Sequence, residues 1–149
     1  MFNLSCWSIL RIVYSLLFAI SCRYIHNFIQ TVENNTQCPL SEGWRITNGK
    51  LLSSILMVIA VINIFIPASK FLSTLPIIGS SYILLFVLAL FLVLFIINRL
   101  SINILDRKDK KNNKCNVKGF DIILNYFSES TTLECIYITI IISTFFFYL

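Results

Sequence analysis

The sequence has few charged residues and few residues that interrupt helices. Only 13% of its 149 residues are Asp, Glu, Lys or Arg, whereas 57% are hydrophobic, and there are 4 Gly and 3 Pro. A soluble globular domain has about 25% charged residues, and a disordered chain has low hydrophobicity. This composition therefore argues against both classes and favours a membrane protein, with room for one small domain.

The residue types that bind metals or perform catalysis are also scarce. There is 1 His, and no two of the 5 Cys are spaced as in a CxxC motif, so a zinc site would need ligands from distant parts of the chain. No Ser or Cys has a recognisable base and orienting carboxylate, and there is no HExxH motif or glycine-rich phosphate loop. The sequence predicts no enzyme activity, no metal and no cofactor.

The longest apolar run extends from Ile77 to Ile97, 21 positions without a charge, and stops at Asn98-Arg99. As a helix this run would be about 30 Å long, which matches the hydrocarbon core of a bilayer. The stretch from Tyr82 to Leu92 has no polar face of the kind that a helix in a soluble protein needs. The run predicts a transmembrane helix.

Three further apolar runs predict an all-α integral membrane protein with four transmembrane helices in a single polytopic domain, residues 1–149. The predicted spans are about 7–29, 51–67, 77–99 and 133–149. The first run contains Arg11 and Arg23, and its uninterrupted part, Ile12 to Cys22, is as short as the apolar region of a signal peptide. An uncleaved span is favoured because both arginines would reach the headgroup layers, and a cleaved signal peptide is the alternative.

The segments between the spans are polar. Residues 30–50 predict a solvated loop, and the prolines Pro67 and Pro76 predict a tight turn at the membrane surface. Residues 106–118 predict a basic loop. From Gly119, apolar residues recur every three or four positions up to Phe127, which predicts a short amphipathic helix at the interface before the last span.

The distribution of basic residues predicts the orientation. Six of them lie in or near the basic loop: Arg107, Lys108, Lys110, Lys111, Lys114 and Lys118. Lys and Arg accumulate on the cytoplasmic side, so both large loops are predicted there and both termini on the opposite side. The same residues favour contact with anionic lipid, and because the positive charge is confined to this loop, no nucleic acid is expected as a partner.

One signal favours the inverted orientation. Asn34-Asn35-Thr36 is an N-glycosylation sequon, so Asn34 would be modified if its loop were luminal. Cys38 and Cys115 lie in the two loops that share a side. They are expected to stay as thiols in a reducing cytoplasm, whereas a bridge between them becomes plausible in an oxidising lumen.

Two stripes of small or polar residues follow helical spacing. On the first helix the stripe includes Arg11, Ser15, Ala19 and Cys22, and on the last helix it includes Cys135, Thr139 and Ser143. Small residues let helices approach closely and hydroxyls bond across the contact, so helix packing is the favoured interpretation, with a pore lining as the alternative. The stripes predict that these two helices touch, and that the Leu- and Phe-rich third helix faces lipid.

These observations lead to two functional hypotheses. The first is a non-enzymatic membrane protein that serves as a structural or accessory subunit of a membrane-bound assembly, with other membrane subunits or copies of itself as partners. The alternative is a small oligomeric channel of the viroporin type, with the polar stripes lining the pore.

Overall fold

In the computed structural model, residues 6–34, 43–108, 120, 125, 127 and 132–148 are described. The continuous ranges contain five helices, Asn125 and Phe127 are also helical, and no described residue is in a strand. The helices are α1 (Cys6–Asn34), α2 (Trp44–Phe65), α3 (Ala68–Thr74), α4 (Pro76–Lys108) and, after the basic segment, α5 (Thr132–Tyr148). The predicted all-helical class is confirmed for this part of the chain.

Three of the helices are long and apolar enough to cross a membrane: α1, α2 and the part of α4 from Pro76 to Ile104. Helix α5 has 17 residues, so it is about 25 Å long at 1.5 Å per residue. That length is close to the thickness of a hydrocarbon core but at the lower limit for a spanning helix.

The helices extend further than the apolar runs predict. Helix α2 begins at Trp44 rather than near residue 51, and α1 continues to Asn34, so both described ends of the predicted 30–50 loop are helical. The first turns of α2 contain polar residues, but Ile46 and Gly49 within them are buried. Likewise α4 continues through the predicted start of the basic loop to Lys108.

The predicted turn between Pro67 and Pro76 contains a short helix, α3. Helix α2 ends before Pro67 because the preceding residue, Ile66, is extended (φ −126°, ψ 112°), as a proline requires of the residue before it. Pro76 is the first residue of α4, a position whose N–H has no acceptor within the helix, so a proline there costs no hydrogen bond. Each proline thus marks a helix boundary.

The direction of the helices follows from their contacts. Positions 15, 26 and 33 of α1 meet positions 63, 53 and 50 of α2, so these two helices are antiparallel. Helix α4 runs parallel to α1, since the Phe18 ring packs on Phe86 and, further along both helices, Ile29 lies with Ile96 around Gly49. Helix α5 packs against α1 and α4, with Ser143 beside Tyr14.

Helix α4 supplies much of the core, so the prediction that it faces lipid is wrong. One face is buried, with residues that include Phe86, Ala89, Leu90, Val93, Leu94, Ile96, Ile97, Leu100 and Ile104. The opposite face, with Leu84, Leu88 and Leu92, is exposed. Sequence periodicity did not identify the buried face because both faces are equally apolar.

Side chains of α1 and α4 both lie close to Gly49 of α2. A Cβ atom there would lie 2.9 Å from Cδ1 of Ile29 on α1 and 3.4 Å from Cγ2 of Ile96 on α4. The absence of a side chain therefore lets three helices meet at one level, as small residues do in membrane helix bundles.

Candidate functional site

Three polar contacts join α1 to α2 at successive levels. In the first, Nδ2 of Asn63 donates to Oγ of Ser15 at 2.9 Å, and both residues are fully buried. The second joins Nδ1 of His26 to Oγ of Ser53 at 3.2 Å. In the third, Nζ of Lys50 lies 2.6 Å from Oε2 of Glu33, where both side chains are about one third exposed.

The Ser53 hydroxyl lies between His26 and its own helix. Its Oγ is 3.2 Å from Nδ1 of His26 and 3.0 Å from the backbone carbonyl oxygen of Lys50. With the imidazole hydrogen on Nδ1, His26 donates to Ser53 while Ser53 donates to Lys50, and both contacts are satisfied. The contact joins α1 to α2.

Hydrogen bonding is incomplete at two buried polar side chains, Arg11 of α1 and Asn63 of α2. Arg11 lies one turn before Ser15 and is only 7% exposed. Within the described part of the chain, neither Nε of Arg11 nor Oδ1 of Asn63 has a hydrogen-bond partner, and both atoms are buried. The α1–α2 contact thus contains buried polar atoms that are not all paired, which is costly in an apolar environment.

Helices α1 and α5 meet through a pair of hydroxyls. The hydroxyl of Tyr14 is hydrogen-bonded to that of Ser143, which is fully buried. Sequence analysis placed Ser143 on the contacting stripe but missed Tyr14, because a tyrosine within an apolar run is usually assigned to packing or to the interface. Its helical spacing from the stripe residue Cys22, eight positions further on, is the signal that would have placed it on the face towards α5.

Beside this hydroxyl pair lies a cleft between α1, α2, α4 and α5, with a volume of about 290 Å³. Leu17 and Ser21 of α1 and Thr139 of α5 are exposed at its rim. The floor is buried and includes Cys22, Leu56 and Val93. The cleft therefore leads from the outer surface of the bundle to its centre.

The structure separates the predicted stripe residues into two environments. Arg11 and Ser15 are buried, and Ser15 bonds Asn63 of α2, whereas Cys22, Thr139 and Ser143 border the cleft. Ala19 is partly buried. The side chain of Cys135 lies outside the described residues, so its predicted contact stays a prediction.

Most of the loop residues that the sequence analysis singled out lie outside the described part of the chain. Asn34 is the exposed last residue of α1. Arg107 and Lys108 belong to the last turn of α4, and their side chains are outside the described set. The remaining loop residues singled out above also lie outside it: Cys38, Lys110, Lys111, Lys114, Cys115 and Lys118.

Part of the predicted amphipathic segment contacts the bundle. The Phe120 ring centroid lies 5.2 Å from that of Tyr24 and 5.4 Å from that of Phe28, both on α1. Nδ2 of Asn98 donates to the carbonyl of Phe127 at 2.5 Å. Asn125 is also described, as an exposed helical residue, whereas the other residues of the segment are outside the described ranges. A helix lying on the membrane interface therefore stays a prediction.

Within the described residues, no group of three or more His, Cys, Asp or Glu side chains is arranged to hold a metal ion. No protein-family model, no curated protein and no solved structure matches this chain.

Proposed function

We propose that the chain is a four-span, non-enzymatic membrane protein that serves as a structural or accessory subunit of a membrane-bound assembly. The observation that carries the proposal is that polar side chains of α1 are hydrogen-bonded to other helices of the bundle. Ser15 and His26 are engaged with α2, and Tyr14 with α5. These groups stabilise helix packing, which is the main use of polar residues in membrane bundles.

The depth of α5 supports a fourth span. Its Ser143 bonds Tyr14 within the predicted span of α1, and Ile136 and Ser143 are both buried in the bundle. If α1 crosses the bilayer, a helix packed beside residues inside that span lies in the same layer. A backbone in that layer must satisfy its own hydrogen bonds, as a helix does.

The orientation belongs to the same proposal. The basic residues between Arg107 and Lys118 favour the cytoplasm, so both large loops lie there and both termini lie on the other side. Close to the cytoplasmic leaflet, the same residues attract anionic lipid by about 1 kcal/mol each.

The proposal is tested by purification in a mild detergent followed by native mass spectrometry. A second membrane protein held in a fixed ratio to this chain is the expected result. A homo-oligomer that conducts ions in liposomes, with conductance lost in Ser15→Leu, would overturn the subunit proposal in favour of a channel. Ser81→Leu is the matched control, because Ser81 is exposed on α4 and its hydroxyl donates to the carbonyl of Ile77 in the same helix.

A further inference from the structure

We propose that the cleft between α1 and α5 binds one acyl chain of a membrane lipid. The inference depends on membrane insertion but not on a partner subunit. Failure to find a partner would leave it intact, and an empty cleft would leave the subunit proposal intact.

The cleft lies at the depth of acyl chains. Its lining residues come from the middle of each long helix: positions 14–25 of α1, Leu56 of α2, positions 90–94 of α4 and positions 139–143 of α5. In a bilayer-spanning bundle Leu56 and positions 90–94 lie near the middle of their helices, and positions 14–21 of α1 lie between Arg11 and Arg23, the residues expected to reach the two headgroup layers. The hydrocarbon tails of the surrounding lipid are therefore the molecules at the opening.

The opening faces those tails. Leu17, at the rim, is 59% exposed, and Ser21 and Thr139 are exposed beside it. Leu56 and Val93, at the floor, are 1% exposed. An acyl chain that enters between α1 and α5 would therefore pass from the bilayer to the centre of the bundle. On its way it would pass beside the Tyr14–Ser143 hydroxyl pair, which joins the two helices.

The chemistry of the lining fits an alkyl chain rather than a polar group. Most lining residues are Leu, Ile, Val or Phe. The hydroxyl of Ser21 already donates to the carbonyl of Leu17 at 2.9 Å, and that of Ser143 is bonded to Tyr14. These hydroxyls are satisfied within the protein, so a ligand need only supply apolar contacts.

The size of the cleft fits one chain. An apolar cavity of about 150 Å³ accepts benzene, and this cleft, at about 290 Å³, has roughly twice that volume. It accommodates the distal part of a single acyl chain but is too small for a second folded element. Filling it would restore dispersion contacts that its lining side chains otherwise lack.

The test uses phosphatidylcholine vesicles containing a phosphatidylcholine with a photoreactive diazirine near the methyl end of one chain. After irradiation, crosslinks are mapped to peptides. Enrichment at the cleft residues of α1, α4 and α5 over the exposed outer face of α4 is expected. A lipid labelled near the headgroup should lack this enrichment. An equal distribution over all exposed faces, or the same pattern with both lipids, would overturn the proposal.

Two variants add a matched comparison. Val93→Phe fills the floor and should abolish the enrichment, whereas Val58→Phe, the same change at a 58% exposed position of α2, should preserve it. If Val93→Phe does not fold, Thr139→Phe obstructs the exposed rim instead and should have the same effect. Enrichment that persists in a folded variant with the cleft filled or obstructed would contradict an acyl chain in the cleft.

Discussion

The Ser15–Asn63 hydrogen bond allows the packing of α1 on α2 to be measured directly. Ser15→Ala removes the acceptor and leaves the buried Nδ2 of Asn63 without its partner at 2.9 Å. Leaving one buried partner unsatisfied costs about 1–3 kcal/mol. Asn63→Leu should cost less, because it also removes the Oδ1 atom that has no partner in the described part of the chain.

The assay is a double-mutant cycle on the free energy of unfolding, in micelles that mix a mild with a denaturing detergent. Interhelical hydrogen bonds in membranes contribute about 0.6 kcal/mol on average and up to about 1.7 kcal/mol. Complete burial of both partners places this pair in the upper part of that range, so we expect a coupling energy of about 1 kcal/mol or more.

The control cycle combines Asn63→Leu with Ser21→Ala. Ser21 is exposed, bonds only the carbonyl of Leu17, and lies about 9 Å from Ser15 along the helix axis. Its coupling to Asn63 should be below about 0.5 kcal/mol. A Ser15–Asn63 coupling as small as that of the control would refute the role assigned to this bond.

Three further predictions use the same unfolding assay or thiol labelling. Gly49→Val should destabilise the protein by about 1–3 kcal/mol through overpacking. Gly49→Ala should cost less, because its single Cβ meets the movable Cδ1 of Ile29 at 2.9 Å and Cγ2 of Ile96 at 3.4 Å, and because alanine has the higher helix propensity. Equal costs would contradict the close approach. Glu33→Gln should cost less than about 1 kcal/mol, because its ion pair with Lys50 is partly exposed and screened; a larger loss would show stronger coupling. In single-cysteine chains, a membrane-permeant maleimide should label exposed Cys6 faster than buried Cys22, and the reverse order would contradict the packing of α1.

The existence of the long helices was predictable from the sequence, but their ends were not. The run from Ile77 to Ile97 allows only a helix in a membrane. The apolar criterion placed the start of α2 near residue 51, however, because it treats Gly49 and Lys50 as loop residues. Their helical state depends on Ile29 and Glu33 of another helix, and such contacts are not visible in a local pattern.

The candidate contacts were also predictable only in part, because they too depend on residues of other helices. Helical spacing correctly grouped Ser15 with other small and polar residues, but it does not specify which neighbouring helix that face meets. The structure pairs Ser15 with Asn63 of α2, whereas α5 is met by the adjacent residue Tyr14. The choice between neighbours is set by the packing of the whole bundle.

The most direct test of the four-span account is the location of the two termini. A tag is placed at each end of the chain, and its accessibility to an impermeant protease is measured on sealed membrane vesicles with the cytoplasmic face outward, with and without detergent. The account predicts that both tags are protected until detergent is added, because four spans return the chain to the extracytoplasmic side. Tags on opposite sides would show an odd number of spans and contradict the account, and two tags cleaved without detergent would show the inverted orientation.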